Sequence, residues 1–282
     1  MADTLYSING VNMGKPSLNA MEWALMRAGT AQLGGITRSV NRVVVPGYDG
    51  YFPAPGQRTE QVLVFNIRTP RENLEALLAV LAHTGYDSSF PRLGVIEVSV
   101  ASGKRAYYEL VSAIPDSDHP NDRLVTVTAT LNIPYGGWRD STTTETTTAV
   151  DTNPEVISGL ASGLSLPISD MDVFIQGNVG TMQITDSQGS WLRTTSGYSY
   201  VSGYGIFYQG STGRAFQATD ASPWVSTGDL GYAVDVSGGG FRMTPKFTST
   251  APGTRSAELT VLSTLLSSVS VKIRWRGAYV LK

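Results

Sequence analysis

Leu-Val-Thr-Val-Thr-Ala-Thr-Leu-Asn-Ile, residues 124–133, alternates without a break. In an extended chain successive side chains point to opposite sides. Val125, Val127, Ala129, Leu131 and Ile133 therefore share one face, and Thr126, Thr128, Thr130 and Asn132 share the other. A helix would scatter both sets around its circumference. The stretch is predicted to be a strand with one side in a core and a hydroxylated side outside it.

Working outward, Thr69-Pro70-Arg71-Glu72 has the form of a helix start. Thr69 is placed as the N-cap, Pro70 suits the first helical position, and Glu72 would close a capping box. Leu74, Leu77, Leu78 and Leu81 follow at helical spacing, and Gly85 is placed to end the helix. Next, Ile96, Val98 and Val100 alternate with Glu97 and Ser99. After the turn Ala101-Ser102-Gly103-Lys104 comes Ala-Tyr-Tyr-Glu-Leu-Val, so the pair reads as a hairpin. Residues 18–29 hold Met21, Trp23, Leu25 and Met26 at neither period, and their type stays open. Asp49, within Pro46-Gly47-Tyr48-Asp49-Gly50, raises the question of a phosphate-cradling loop. Such a loop feeds a helix N-terminus. Here Tyr51-Phe52-Pro53 follows, and Asp-Gly is a strong hairpin signal, so a turn between strands is expected.

Ser-Thr-Thr-Thr-Glu-Thr-Thr-Thr, residues 141–148, has no apolar side chain to bury. It reads as an exposed connection, with a first domain at 1–140, a Thr-rich linker at 141–153 and a second domain at 154–282. The second domain is predicted to hold short strands at 172–176, 181–185, 191–194, 205–209, 214–218, 232–236, 240–243, 258–261 and 269–279. A helix is conceivable only at 259–266. Short strands with glycine-rich turns argue for a β-sandwich. In the last strand Val269, Val271, Ile273 and Trp275 would face the core, and Lys272, Arg274 and Arg276 the other side.

Composition limits the function classes. The formal charge is −2 and charged residues make up 16% of the chain, below the ~25% typical of soluble domains. A net acidic chain gives no electrostatic reason to bind nucleic acid or an anionic membrane. Cysteine is absent, which removes disulfides, thiolate ligands and thiol nucleophiles. The N-terminus, Met-Ala-Asp-Thr-Leu-Tyr-Ser, lacks the basic and apolar regions of a secretory signal, and no apolar run approaches membrane-spanning length.

Catalytic machinery is not legible. His83 and His119 stand too far apart for a paired-histidine metal motif. Asp116-Ser117-Asp118-His119 gathers suitable groups, but neighbours on one polar turn rarely converge as a triad. No nucleophile elbow or dinucleotide fingerprint occurs. Paired carboxylates need only meet in space, so spacing does not decide them. Lys272, Arg274 and Arg276 could follow a phosphate backbone or be a solvated strand face. Trp191, Tyr198, Tyr200, Tyr204 and Tyr208 crowd a short region, either as half-buried strand residues or as aromatic platforms for a sugar.

Ser7-Ile8-Asn9-Gly10, the stretch from Arg42 through Val-Val-Val-Pro-Gly-Tyr-Asp-Gly, Asn132-Ile133-Pro134-Tyr135, and Arg274-Trp275-Arg276-Gly277-Ala278-Tyr279-Val280 together resemble the distal tail proteins of long, non-contractile-tailed bacteriophages (siphophages). The resemblance spans nearly the whole chain in order and spacing. The threonine run is outside the pattern. What the resemblance implies is a mainly β protein: a ring-forming α+β belt domain with one helix, then a galectin-like or jelly-roll β-sandwich. It further implies a structural, non-enzymatic virion protein at the distal end of the tail, forming a homo-oligomeric ring, typically a hexamer. Its partners would be the tail tube protein and the tail hub protein, with receptor-binding proteins or host glycans as further contacts. DNA would pass only in transit through a channel lined by polar or acidic residues, with no cofactor, metal or membrane involved. A carbohydrate-binding adhesin is the alternative, and a cell-wall hydrolase a third class.

Overall fold

The structure is a computed structural model and describes residues 6–13, 23–26, 41–43, 52–54, 61–88, 90–98, 103–116, 123–134, 137–161, 166–178, 180–195, 198, 200–238, 240–247, 255–264 and 269–279. The chain forms two compact units, Met1–Arg139 with Val280–Lys282, and Asp140–Tyr279. Both are β-rich, and among the described residues there is one α-helix.

The first unit is built on an antiparallel sheet. Its strands are β1 (Tyr6–Ile8), β2 (Val11–Asn12), β3 (Ala24–Leu25), β6 (Gln61–Pro70), β7 (Gly94–Val98), β8 (Lys104–Pro115) and β9 (Leu124–Ile133). They lie in the order β2-β1-β7-β8-β9-β6-β3. Strand β9 occupies the residues that alternate in the sequence, and all five of its predicted core residues are buried. It pairs with β6 from Gln61 opposite Ile133 to Pro70 opposite Leu124, which puts Leu63, Phe65 and Ile67 on the same buried side. The hairpin of β7 and β8 forms as expected, with Ile96 opposite Ala106. A separate ladder joins β4 (Asn41–Val43) to β5 (Phe52–Ala54), with Val43 opposite Phe52. The two ends of the Asp49 stretch are thereby brought together, and Asp49 itself lies outside the described residues.

The helix starts later than its capping signal suggests. α1 runs Leu74–Ala82 behind a 3-10 turn at Arg71–Asn73, without a side-chain cap. Thr69 and Pro70 are instead the last residues of β6, paired with Val125 and Leu124. Thr69 is fully buried and unavailable as a cap. Leu77 and Leu81 carry the helix into the core, while Leu74 and Leu78 are half-buried.

Asn9 joins these pieces. Asn9 and Gly10 both have positive φ, 50° and 79°, as a two-residue type I′ hairpin turn between β1 and β2 requires. A Cβ at Gly10 would collide with the Tyr86 ring. The Asn9 amide Nδ2 donates to the carbonyls of Val80 (2.8 Å) and His83 (3.0 Å) and to the Tyr108 hydroxyl (3.0 Å). Its Oδ1 accepts from the Val95 amide at 2.8 Å. The Tyr108 hydroxyl in turn donates to Leu81 O at 2.8 Å. The open end of the helix, where carbonyls lack intrahelical partners, is thus satisfied by a turn more than seventy residues away.

The second unit has two six-stranded antiparallel sheets, each with one face buried. The first runs β11-β22-β13-β16-β17-β18: β11 (Thr144–Ala149), β13 (Asp172–Gln176), β16 (Tyr204–Gln209), β17 (Arg214–Thr219), β18 (Gly228–Asp229) and β22 (Ser270–Trp275). The second runs β12-β21-β14-β15-β19, with β20 also on β21: β12 (Glu155–Leu160), β14 (Met182–Asp186), β15 (Trp191–Thr194), β19 (Val234–Val236), β20 (Lys246–Phe247) and β21 (Arg255–Ser263). Val173, Ile175, Ile206, Val271 and Ile273 from one sheet and Met182, Ile184, Leu192, Leu259 and Val261 from the other supply the core. Two short strands, β10 (Trp138–Asp140) and β23 (Ala278–Tyr279), complete the described set; the Tyr279 hydroxyl donates to the Asp140 carboxylate at 2.9 Å.

Three expectations are corrected here. The threonine run is not a linker: Thr144 to Ala149 pair residue by residue with Trp275 to Ser270. It lacks apolar residues because, as an outer strand, it is held by backbone hydrogen bonds and by threonine's strand propensity rather than by a buried face. Residues 259–266 begin as strand, not helix. Ala257, Leu259 and Val261 are buried at period two, with ladders on both sides of β21. Residues 240–243 form no strand; Met243 makes only an isolated bridge to Ile168.

Replacing Asn9 by alanine removes those bonds and places alanine in a left-handed conformation. It is expected to cost about 3 kcal/mol in urea unfolding. Burial raises the Tyr108 phenol to about 12, from 10.0, against the lowering effect of Asn9. The unfolded chain therefore ionises first as pH rises. The stabilisation is complete below pH 10 and lost on passing pH 12. Tyr108→Phe is expected to flatten the fall of stability across that window by roughly 2–3 kcal/mol, measured as urea midpoints against pH.

Candidate functional site

The outer face of the first sheet of the second unit carries an aromatic ladder. Register aligns Lys272, Phe174, Phe207, Phe216 and Asp229 across β22, β13, β16, β17 and β18. The neighbouring row reads Glu145, Arg274, Asp172, Gln209 and Arg214. Trp224, from the segment after β17, covers the ladder edge-on, 6.5 Å from Phe174 and 5.9 Å from Phe207. Gly205 leaves the space that the Phe174 ring occupies. The result is a small second core on what would otherwise be an open face.

Two of the basic residues expected on the last strand, Lys272 and Arg274, belong to this cover, while Arg276, just past the end of β22, donates to the Ser141 carbonyl at 3.4 Å. The Arg274 guanidinium sits 4.5 Å from the Trp224 ring centre and contacts Asp172 Oδ2 at 2.6 Å. Lys272 Nζ lies 5.9 Å from the Phe174 ring, and Arg214 stacks on Phe216 at 5.3 Å while pairing with Asp229 at 2.9 Å. Trp224 Nε1 donates to Glu145 Oε2 at 3.0 Å. Cations over aromatic faces are favoured by the ring quadrupole. Burial pushes the Asp172 carboxyl above its usual range, with Arg274 pulling the other way. Lys272 and Arg274 are therefore committed to aromatic and carboxylate partners, and do not form the free basic stripe that phosphate tracking needs.

The tyrosine-rich region divides. Tyr208 is core, 6.4 Å from Phe241. Trp191 lies in β15 of the other sheet, with Arg193 stacked at 5.0 Å and paired with Asp235. Tyr198 and Tyr200 lie in the segment between β15 and β16, where Tyr200 is 39% exposed. There they meet Tyr232, 65% exposed, which the sequence places in a strand at 232–236 and the structure in a 3-10 turn, Gly231–Ala233, with β19 beginning only at Val234. Asp220, which the sequence reading missed, follows β17.

Other candidates resolve as structure. His83 contributes its backbone carbonyl to Asn9, with its side chain exposed. Asp116 locks a strand end: its amide donates to Thr126 O and its Oδ1 accepts from the Thr126 amide. Ser117, Asp118 and His119 lie outside the described residues. Among the described residues no three metal-ligating side chains cluster, and no helix is long and apolar enough to cross a membrane.

In the first unit, the outer face of β6, β9 and β8 presents Asn66, Thr126, Thr128, Thr130 and Ser112, with Glu109 opposite Asn132, Arg68 opposite Thr126, and Asp116 bonded to Thr126 at the strand end. Thr128 donates to Asn66 Oδ1 at 2.9 Å. Exposed apolar residues accompany them: Val62, Leu124, Ile114 and Val111, the last at a register shift in β8.

With this architecture, comparison with solved structures becomes informative. Over 97% of this chain and 98% of the other, the structure superposes on SPP1 Dit, described as a paradigm of the hub adsorption apparatus in phages infecting Gram-positive bacteria, with a TM-score of 0.54 and 9% identity. The two proteins share a fold. Chains of the phage p2 baseplate in its activated conformation, with strontium and with calcium, align over 98% of this chain and 99% of theirs. Their identities are 11% and 12% and their TM-scores 0.43 and 0.40, too low to add to the assignment. No protein-family model matches the chain, and no curated protein does.

Trp224→Ala uncovers Phe174 and Phe207 and strands Arg274 over an empty site. A loss of about 2–3 kcal/mol and increased binding of a hydrophobic dye are the expected outcomes, read by denaturation and dye fluorescence.

Proposed function

We propose that the protein is a distal tail protein of a siphophage: a structural, non-enzymatic virion protein that forms a ring at the tail tip. The ring, of six subunits, would join the tail tube to the adsorption apparatus and leave a channel for DNA. The observation that carries this reading is the shared fold with SPP1 Dit along essentially the full length of both chains. The sequence marks of the resemblance support it. Ser7–Gly10 forms the turn that Asn9 locks, Asn132 and Ile133 end β9, and Arg274 anchors the cover of the aromatic ladder.

Physical chemistry agrees with such a role. A ring arises when a heterologous, head-to-tail contact closes after a whole number of rotations. The exposed Val111 and Ile114 of β8 supply apolar surface for a neighbouring copy. The hydroxyl-rich outer face of β9 suits a channel wall, because a face rich in hydroxyls and poor in cations has little hold on phosphate. A galectin-like second unit would project from the ring as the attachment point for neighbouring tail-tip proteins.

A second reading, a carbohydrate-binding adhesin of the tail tip, draws on the exposed Tyr200 and Tyr232. The two roles are compatible in one molecule.

Negative-stain microscopy with particle mass tests the leading reading. Closed rings of about six subunits around a channel that admits duplex DNA are expected. The double variant Val111→Asp, Ile114→Asp is expected to lower the ring fraction about tenfold or more while leaving the unfolding midpoint nearly unchanged, since both sites are exposed. A monomer that persists at high concentration, with tail tube protein added, would sink it.

A further inference from the structure

Sheets end in strands whose outer backbone groups are unpaired, and native proteins blunt such edges by shortness, bulges, proline or lysine. Among the described residues, the three large sheets end in β2 and β3, β11 and β18, and β12 and β19. β2, β3 and β18 have two residues each and β19 has three. β12 is interrupted by a register shift between Ile157 and Leu160, where Gly159 has a φ of 70°. Of these edges β11 alone lacks a guard. Thr144 to Ala149 run in unbroken register along β22, with no proline, glycine or lysine and a single charge. That charge, Glu145, accepts the Trp224 indole N–H at 3.0 Å.

We propose that the free edge of β11 pairs with β11 of a second copy of this chain, antiparallel and about a two-fold axis at Thr147. The inference goes beyond the ring reading. A ring is built on a head-to-tail contact, whereas this contact uses the same patch on both copies, so it joins two monomers or sets one ring against another.

The occupant follows from the chemistry of the edge. In an antiparallel ladder every second residue turns both its N–H and its C=O away from its partner strand. The free side of β11 is therefore a row of donors and acceptors, which another extended chain complements. Thr144, Glu145, Thr147 and Ala149 are exposed, and no described strand lies beyond them in the sheet. Threonine favours the extended conformation. A chain with a formal charge of −2 also offers little long-range repulsion between copies.

Register selects the second copy. A two-fold axis normal to the sheet keeps the core faces of both copies on one side, so even-numbered residues of β11 must meet even-numbered ones. Centring the pair on Glu145 would oppose two like charges directly, and centring it on Thr146 would make them diagonal neighbours. Centred on Thr147, the half-buried Thr146 and Thr148 meet each other twice on the core side, and Thr147 meets Thr147 on the outer side. Glu145 then lies opposite Ala149, with its counterpart four residues farther along. Threonine pairs are among the favourable cross-strand contacts, and no like charges face each other.

The chain has no cysteine, so single cysteines test this register directly in the full-length protein. Directly opposed residues have Cβ atoms about 4.5–5.5 Å apart, close to disulfide reach. Thr147→Cys is expected to form a covalent dimer under mild oxidation. In the same register two Thr144→Cys side chains stand roughly 20 Å apart, and their dimer yield should be about tenfold lower or less. Particle mass supplies the second readout. The unmodified chain should double, as dimers or as paired rings, on concentration. Thr147→Lys and Thr147→Glu should each lower the paired fraction about tenfold, and mixing the two variants should restore it. Thr147 is exposed, so the unfolding midpoints should stay nearly unchanged.

Equal crosslinking at both positions, or a paired fraction that Thr147→Lys leaves unchanged, would overturn the contact. A chain that stays unpaired at every concentration would also overturn it and leave the edge to a strand of another protein. Single rings without pairing would remove the contact and leave the hub reading standing, whereas pairing through Thr147 without rings would do the reverse.

Discussion

The Asn9 amide is the constraint on which the first unit depends. A helix of nine residues is too short to be stable alone, so its position must be set from outside. Asn9 sets it by capping carbonyls near the helix end, bonding Tyr108 of β8 and accepting the Val95 amide of β7. Those elements are distant in sequence and meet only if the β1–β2 turn adopts its left-handed conformation. The position therefore needs asparagine, which tolerates positive φ and carries both a donor and an acceptor.

The second unit solves a different problem. A two-sheet structure buries one face of each sheet and leaves two faces to water. On the first sheet, phenylalanines fill the outer row, and Trp224 with three cations closes over them. Asp172 and Asp229 pair with Arg274 and Arg214, and Glu145 accepts the Trp224 indole N–H. A chain so poor in charge thus places two of its ion pairs, Arg274–Asp172 and Arg214–Asp229, where they protect aromatic surface.

What remains open to partners lies mostly at loop ends and on the outer face of β6, β9 and β8. This is the arrangement expected when rigid sheets position variable binding surfaces. Shared fold with a tail hub protein at 9% identity fits the same principle: pattern and packing persist while individual side chains change. Function at such a distance rests on the particular surfaces this chain carries.

Alternation was readable where a strand has one buried face, as in β9, β14, β15 and β22, because period two is a direct record of burial. The leucine spacing of α1 was readable for the same reason. The threonine strand β11 was not, since an outer strand held by its backbone leaves no apolar trace, and the helix cap was lost because Thr69 is claimed by a ladder partner far along the chain. The tyrosine-rich region was visible as composition only. Sequence by itself determined the β-rich class and the buried faces of the alternating strands. Tertiary structure alone decided that Asn9 joins three elements, that Arg274 stacks on Trp224, and that Tyr198 and Tyr200 meet Asp220 and Tyr232 and part from Trp191 and Tyr208. Those outcomes depend on which distant strands pair, and local periodicity carries no record of that.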